Sequence, residues 1–338
     1  MRVWAVSDIH TDYAQNLEWV RALAAGGGGS VAGLSRDVLL VAGDVSDDLA
    51  TLEKTLQPLV DAFAHVFFVP GNHDLWVRRD ERGQYDSLEK LRRVQALCAR
   101  LGVRTEPACV GGVWIFPILS WYHASWDREP DVPGAHPISK ARPGCVMLDF
   151  HVCSWASAPH LSPHNDSLAL HFDALNEPAF SRALQEQAAA AGGARPPVLS
   201  FSHFLPRQEL LPEKRMLYQP NLAKAAGSDA LEARVRRLRP LAHVFGHTHF
   251  SWDAEVEGVR YVQWPLGYPQ EHARRRGGGA GWLPLPLFDS DAVRPGVGDG
   301  RSGLAPPQAC YWSDLYSTYP RNPANITAAP WVTTTTRA

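Results

Sequence analysis

The sequence predicts an α/β fold, and three observations carry that reading. Between residues 2 and 248, short apolar runs alternate with segments of helical periodicity. The runs are apolar throughout, as expected of strands buried on both faces. Five of them end abruptly in Asp, His or Asn, which marks the carboxyl edge where α/β folds gather ligands. With 338 residues, 45% hydrophobic and 20% charged, the chain has ample material for a core.

The elements follow in order. Val3-Trp4-Ala5-Val6 reads as a buried strand, followed by a helix over 14–24 that stops at a glycine run beginning with Gly26. A strand at 38–42 precedes a helix over 49–63, in which Pro58 predicts a break or bend. A strand at 65–69 and a helix at 87–101 come next, with Gly102 as the stop. A strand at 113–118 opens onto an irregular insertion at about 119–177, rich in Pro, His and Trp. A helix at 178–191, a strand at 198–201, a helix at 229–238 and a strand at 242–245 restore the rhythm. Segments 252–256 and 259–264, joined by Glu257-Gly258, form a hairpin. This reading puts a catalytic domain at 1–272. The remainder, 273–338, is a Gly/Pro-rich tail whose Trp312, Tyr316, Tyr319 and Trp331 pack it partly onto that domain.

Bulk properties exclude several functions. Thirty-three basic against 35 acidic residues leave a net charge of −2, which argues against nucleic acid as an obligatory partner. The short clusters at Arg234–Arg239 and Arg274–Arg276 read as solvated surface. Cys98, Cys109, Cys145, Cys153 and Cys310 form no CxxC pair, so neither a thiolate zinc site nor a disulfide framework is expected. A reducing, cytoplasmic location follows. No apolar stretch reaches the ~20 residues of a membrane span, and residues that look functional begin at Asp8, where a signal peptide would lie.

The chemistry lies in the strand exits: Asp8-Ile9-His10, Gly43-Asp44-Val45-Ser46-Asp47, Gly71-Asn72-His73-Asp74, Ser202-His203 and Gly246-His247-Thr248-His249. Asp-x-His and His-x-His place both side chains of a pair on one side of an extended backbone. Carboxylates, imidazoles and an amide without thiolates suit hard-to-borderline metals, and a carboxylate such as Asp44 can bridge two ions. Each motif alone is weak; all five in this order after strands are a strong signal.

In these motifs the chain resembles the calcineurin-like metallophosphoesterase superfamily, whose ordered signature is D-x-H, G-D-x-x-D, G-N-H-[DE], a later histidine and G-H-x-H. The resemblance covers about 1–265, less the insertion. It implies a two-sheet β-sandwich flanked by helices, a four-layer α/β/β/α arrangement, rather than the single doubly wound sheet that alternation alone suggests. It also implies two divalent or trivalent metal ions (Mn, Fe or Zn) and a metal-bridging hydroxide that hydrolyses a phosphate ester. Asp8, His10, Asp44 and His249 would hold one ion; Asp44, Asn72, His203 and His247 would hold the other. His73 would protonate the leaving alkoxide. Asp47 or Asp74 would orient that imidazole, Asp47 being favoured as the last position of G-D-x-x-D.

The departures are informative. Asp48-Leu49 and Asp74 stand where Ser/Thr protein phosphatases of the family carry Arg-Gly and Glu, which points to the phosphodiesterase and small-molecule branch. The expected partner is a small phosphate ester such as a nucleotide. Beyond the signature, His123 is a candidate substrate contact with Trp126 and Asp127 beside it, and Arg78 or Arg79 a candidate phosphate ligand. Two other readings are a non-catalytic scaffold, which normally loses ligands that this chain retains, and a nuclease, which the weak net charge disfavours.

Overall fold

The computed structural model describes residues 1–26, 33–135, 147–190, 196–273, 282–293 and 300–333. Cys145, His136, the cluster Arg274–Arg276 and the end of the helix expected at 178–191 lie outside the described residues. The amino-terminal part runs β1 (Arg2–Val6), α1 (Ala14–Ala24), β2 (Val38–Ala42), α2 (Leu49–Ala62), β3 (His65–Val69), α3 (Ser87–Leu101), β4 (Ala108–Val110) and β5 (Val113–Pro117). After α4 (Asp149–Val152) and α5 (Ser167–Ala190) come β6 (Val198–Phe201), α6 (Asp229–Leu238), β7 (Ala242–Phe245), β8 (Trp252–Val256) and β9 (Val259–Gln263). The chain closes with α7 (Pro269–His272), β10 (Leu285–Asp289), α8 (Tyr311–Thr318) and α9 (Pro330–Thr333).

Two sheets form, in the orders β10-β1-β2-β3 and β4-β5-β6-β7-β9-β8. Strands β1, β2 and β3 are parallel, as are β5, β6, β7 and β9, while β10, β4 and β8 pair antiparallel with their neighbours. Because side chains alternate along a strand, each sheet buries two sets. Val3, Ala5, Leu40 and Phe67 face Ile115, Leu199, Phe201 and Val244 between the sheets. Trp4, Val6, Leu39 and Phe68 pack outward with Val20, Leu56 and Val94 of α1, α2 and α3. On the opposite outer face Trp114 and Phe116 pack with Phe172 and Phe180 of α5 and Val235 of α6. The layers are helix, sheet, sheet, helix, the sandwich that the resemblance implied.

Helix α5 and strand β10 extend beyond the sequence reading. Helix α5 begins at Ser167 rather than at Pro178, so the irregular insertion ends in helix and Pro178 lies inside it. Its buried Leu168, Phe172, Phe180 and Ala183 form an apolar stripe interrupted by the buried Asn176. Asn176 lends its side-chain amide to the carbonyls of Phe172 and Leu119 near the proline, and burial of that stripe outweighs the local penalty of Pro178. Strand β10 lies in the tail segment and pairs with β1 through Arg2–Asp289 and Val3–Phe288. Helix α2 likewise continues through Pro58.

Candidate metal centre and active site

The parallel strands deliver their carboxyl ends to one rim. Asp8 and His10 follow β1, Asp44 follows β2, Asn72 and His73 follow β3, His203 follows β6, and His247 and His249 follow β7. Three groups there bring ligand atoms within 4.8 Å of one another: Asp8, His10 and His249; His10, Asp44 and His73; and Asp44, His203 and His247. Among the described residues, seven non-glycine residues have positive φ, and five of them are Asp8, His10, Asp44, His247 and His249. Left-handed backbone is costly for such residues, so the strain is concentrated where the chain turns its ligands inward. Close backbone approach demands glycine as well. Gly43 has φ of 79°, and a Cβ there would stand 2.7 Å from His203 Cγ and 2.8 Å from the Gly71 nitrogen.

The distances suit cations. Asn72 Oδ1 lies 3.0 Å from His203 Nε2 and 3.0 Å from His247 Nδ1. His203 Nδ1 donates to the Ala42 carbonyl at 2.9 Å and His247 Nε2 to the Ala225 carbonyl at 2.7 Å. In their neutral forms those rings therefore turn bare lone pairs toward the amide oxygen. Asn72 Nδ2 donates to Asp149 Oδ1 at 2.9 Å, which fixes the amide with its oxygen inward. A second convergence sets His10 Nε2 3.0 Å from His249 Nε2, with Asp8 Oδ1 3.5 Å from the latter. His249 Nδ1 donates to Glu271 at 2.8 Å. Asp44 connects the two sets: Oδ1 is 3.4 Å from His203 Nε2 and Oδ2 is 3.9 Å from His10 Nε2. Acceptors converging on acceptors, with His203, His247, His249 and Asn72 braced from behind, are what a metal site requires, and the residues fit the expected ions.

Electrostatics agree. Burial opposes protonation of His203, yet Asp44 raises it to about 9. Burial likewise opposes protonation of His249, but Asp8 and Glu271 raise it to about 10. These carboxylates demand positive charge beside them. Burial drives His247 down to about 3 and also lowers His10, leaving both neutral and able to ligate.

His73 stands at the entrance. Its backbone N–H donates to Asp44 Oδ1 at 2.9 Å, its Nε2 lies 3.8 Å from Asp44 Oδ2, and its ring stacks on Trp76 at 3.6 Å. It lines a cavity of about 700 Å³ with His10, Tyr268, Asp12, Asp47 and Arg78. Arg78 donates to Asp47 at 3.0 Å. Among the described residues no hydrogen bond joins Asp47 to His73. The Asp74 carboxylate accepts from the backbone nitrogens of Asp44, Val45, Ser46 and Gly71 at 2.8 to 3.0 Å, bracing the loop that presents Asp44. His123 does not line that cavity; its ring meets Ser125 Oγ at 2.9 Å. Trp126 is core, and Asp127 is buried against Lys214 and Lys224 at 2.7 and 2.9 Å.

Sequence reasoning missed Asp149, Glu271 and the ring of Trp76. Asp149 lies in the aperiodic insertion and had no local signal. Glu271 had a faint one: Tyr268-Pro269-Gln270-Glu271 has the spacing of a helix start with a capping acid.

Residues 1–140 match the family described as calcineurin-like phosphoesterase. The chain carries a calcineurin-like phosphoesterase domain. It is 28% identical over 286 residues to the acyl-carrier-protein phosphodiesterase PptH of Mycobacterium tuberculosis, an alignment covering 81% of this chain and 80% of that protein. The crystal structure of the phosphopantetheinyl hydrolase PptH from the same organism superposes with a TM-score of 0.61 at 23% identity, covering 81% of this chain and 92% of that one. That likeness confirms the two-sheet fold. The family expected from the motifs is thus matched over residues 1–140, and the PptH relative that aligns with most of the chain is a phosphodiesterase. No helix among the described residues is long and apolar enough to cross a membrane.

Proposed function

We propose that the chain hydrolyses a phosphodiester with two metal ions, and that its substrate is the phosphopantetheine diester of a carrier protein. The observation that carries the first part is the convergence of Asn72 Oδ1 with two inward-facing imidazole nitrogens at 3.0 Å. The second part rests on the likeness to PptH, named for such a substrate; a diester also contains the phosphate ester expected from sequence. Asp8, His10, Asp44 and His249 would hold one ion, and Asp44, Asn72, His203 and His247 the other. When bound, such ions supply an acidified water and neutralise phosphate charge.

The protein's own groups do the rest. His73, aimed into the cavity, gives its Nε2 proton to the departing alkoxide as water's oxygen replaces it on phosphorus. The diester becomes an alcohol and a phosphomonoester, and the proton lost by water leaves to solvent. Arg78, held by Asp47, receives a non-bridging phosphoryl oxygen. Asp47 therefore acts on His73 only at a distance, and the stacked Trp76 sets the imidazole plane. In the same reading 1–272 is the catalytic domain and 273–338 an appendage packed on it, as the pairing of β10 with β1 supports.

The test is hydrolysis by metal-stripped protein given Mn, Fe, Zn or Mg singly. Substrates are a holo-carrier protein, bis-p-nitrophenyl phosphate and p-nitrophenyl phosphate. Expected are metal-dependent turnover of the diesters, release of phosphopantetheine, and loss of both in Asp44→Asn and His73→Ala. Turnover of the monoester alone would overturn the diester assignment. Two bound ions with no turnover of any ester would favour the scaffold.

A further inference from the structure

The insertion contributes one buried carboxylate to the rim, and its three partners are all hydrogen-bond donors. Asp149 Oδ1 accepts from Asn72 Nδ2 at 2.9 Å and from Trp76 Nε1 at 2.6 Å, while Oδ2 accepts from Tyr122 Oη at 3.1 Å. Asp149 is 3% exposed, and the signature contains no such residue. The amide it grips presents its oxygen to His203 and His247, and the indole it grips is the face on which His73 stacks. One carboxylate oxygen thus ties a candidate metal ligand to the ring beneath the proposed general acid. Its neighbour Leu148 lines the cavity beside His73.

We propose that Asp149 is a positioning residue that fixes the Asn72 amide with its oxygen toward the metal and, through Trp76, sets the plane of His73. The inference rests on the assignments of Asn72 and His73 made above. Without the acceptor, the Asn72 amide is free to rotate by 180° and present its NH₂ to the two imidazole lone pairs. The indole likewise loses the bond that holds it flat against His73. Tyr122 is different, because a hydroxyl either donates or accepts. Asparagine at 149 can therefore keep all three contacts: its oxygen accepts from Asn72 and Trp76, and its nitrogen donates to Tyr122.

The experiment compares Asp149→Ala, Asp149→Asn and Trp76→Phe in the full chain, with Asn72→Ala and His73→Ala as controls. Readouts are Mn²⁺ affinity by calorimetry, thermal melting, and kcat for bis-p-nitrophenyl phosphate at saturating metal across pH. Asp149→Ala should bind Mn²⁺ about 10–100-fold more weakly and lose at least tenfold in kcat. Asp149→Asn should recover Mn²⁺ affinity to within threefold. Trp76→Phe keeps a stacking face but not the Nε1–H bond, so it should lower kcat and shift the pH profile with Mn²⁺ affinity unchanged. Asp149→Ala that matches the wild type in affinity and kcat overturns the proposal. So does Asp149→Asn that folds yet binds Mn²⁺ as weakly as Asp149→Ala, since charge alone would then be acting. If Asp149→Ala does not fold, the other two variants decide. Full activity in Asn72→Ala and His73→Ala would instead sink the underlying site assignment.

Discussion

Glu271 offers the sharpest test of how the centre is braced. Its carboxylate accepts the Nδ1–H of His249 at 2.8 Å and the backbone N–H of Tyr268, also at 2.8 Å. The first bond turns His249 Nε2 toward His10 Nε2 and Asp8; the second starts the short helix Pro269–His272. Replacing Glu271 with Ala removes both, and replacing it with Gln keeps two neutral bonds. A charge-assisted hydrogen bond contributes about 1.5–3 kcal/mol, and each 1.4 kcal/mol is about tenfold in affinity. Glu271→Ala should therefore weaken metal binding about 10–100-fold, the usual effect of losing a carboxylate behind a metal-bound histidine. Glu271→Gln should cost less, because its amide oxygen still accepts from Nδ1–H. Calorimetric titration of metal-stripped protein measures both, with circular dichroism to establish that the variants are folded. A folded Glu271→Ala whose metal affinity lies within twofold of the wild type would refute the idea that this carboxylate orients His249.

Three further outcomes are expected. Gly43→Ala forces a side chain into left-handed backbone and to within 2.7 Å of His203 Cγ. It should destabilise the protein by about 2–4 kcal/mol in urea unfolding, and unchanged stability would mean that the β2 exit is not as tight as drawn. Chelation should lower the melting temperature, since a ligand at a hundred times its Kd stabilises the native state by about 2.7 kcal/mol; Asp44→Asn should abolish that response to added metal. His243 is buried away from the rim, held between Ser200 Oγ at 2.8 Å and Ser202 Oγ at 3.0 Å, and burial depresses it to about 3. A depressed value means its contribution to stability is complete above the unfolded pKa of about 6.5 and is lost as pH falls toward 3, at up to about 1.4 kcal/mol per pH unit. Unfolding free energies from pH 7 to 4 should fall less steeply in His243→Gln, and an identical slope would show that His243 is not the group being charged.

What the sequence displayed and what it concealed differ for a physical reason. Asp8, His10, Asp44, Asn72, His203, His247 and His249 each end a buried strand, so an apolar run and a sudden polar residue announce them locally. The supports have no such address. Asp149 follows a long aperiodic stretch and reaches Asn72 across 77 positions. Glu271 reaches His249 from beyond a hairpin strand, and Ala225 accepts from His247 at the end of the short 3-10 helix Pro220–Ala225. Their roles depend on tertiary packing that no local pattern encodes. The same limit explains helix α5, which the sequence reading begins at Pro178 although a buried stripe from Leu168 to Ala183 carries it upstream to Ser167. Edge strand β10 was hidden in a Gly- and Pro-rich region for the same reason.

The division of the proposed ligands between the sheets has a consequence for folding. Asp8, His10, Asp44 and Asn72 come from the exits of β1, β2 and β3, whereas His203, His247 and His249 come from those of β6 and β7. Neither sheet holds a complete proposed set, and Asp44 and Asp8 each lie near imidazoles of both. The apolar layer of Val3, Leu40, Phe67, Leu199 and Val244 must close before the two half-sites face one another. On the proposed ligand assignment, formation of the centre should be linked to burial of the inter-sheet core, and metal affinity should report sandwich closure. A cavity cut into that layer, such as Leu40→Ala, removes none of the proposed ligands. It should nonetheless weaken metal binding in step with its loss of global stability, whereas a core variant on the outer helical faces that costs equal stability should leave affinity nearly unchanged. Calorimetry on one variant of each kind, matched by urea midpoint, separates the two cases, and equal affinities would mean that the half-sites hold their positions without the core between them.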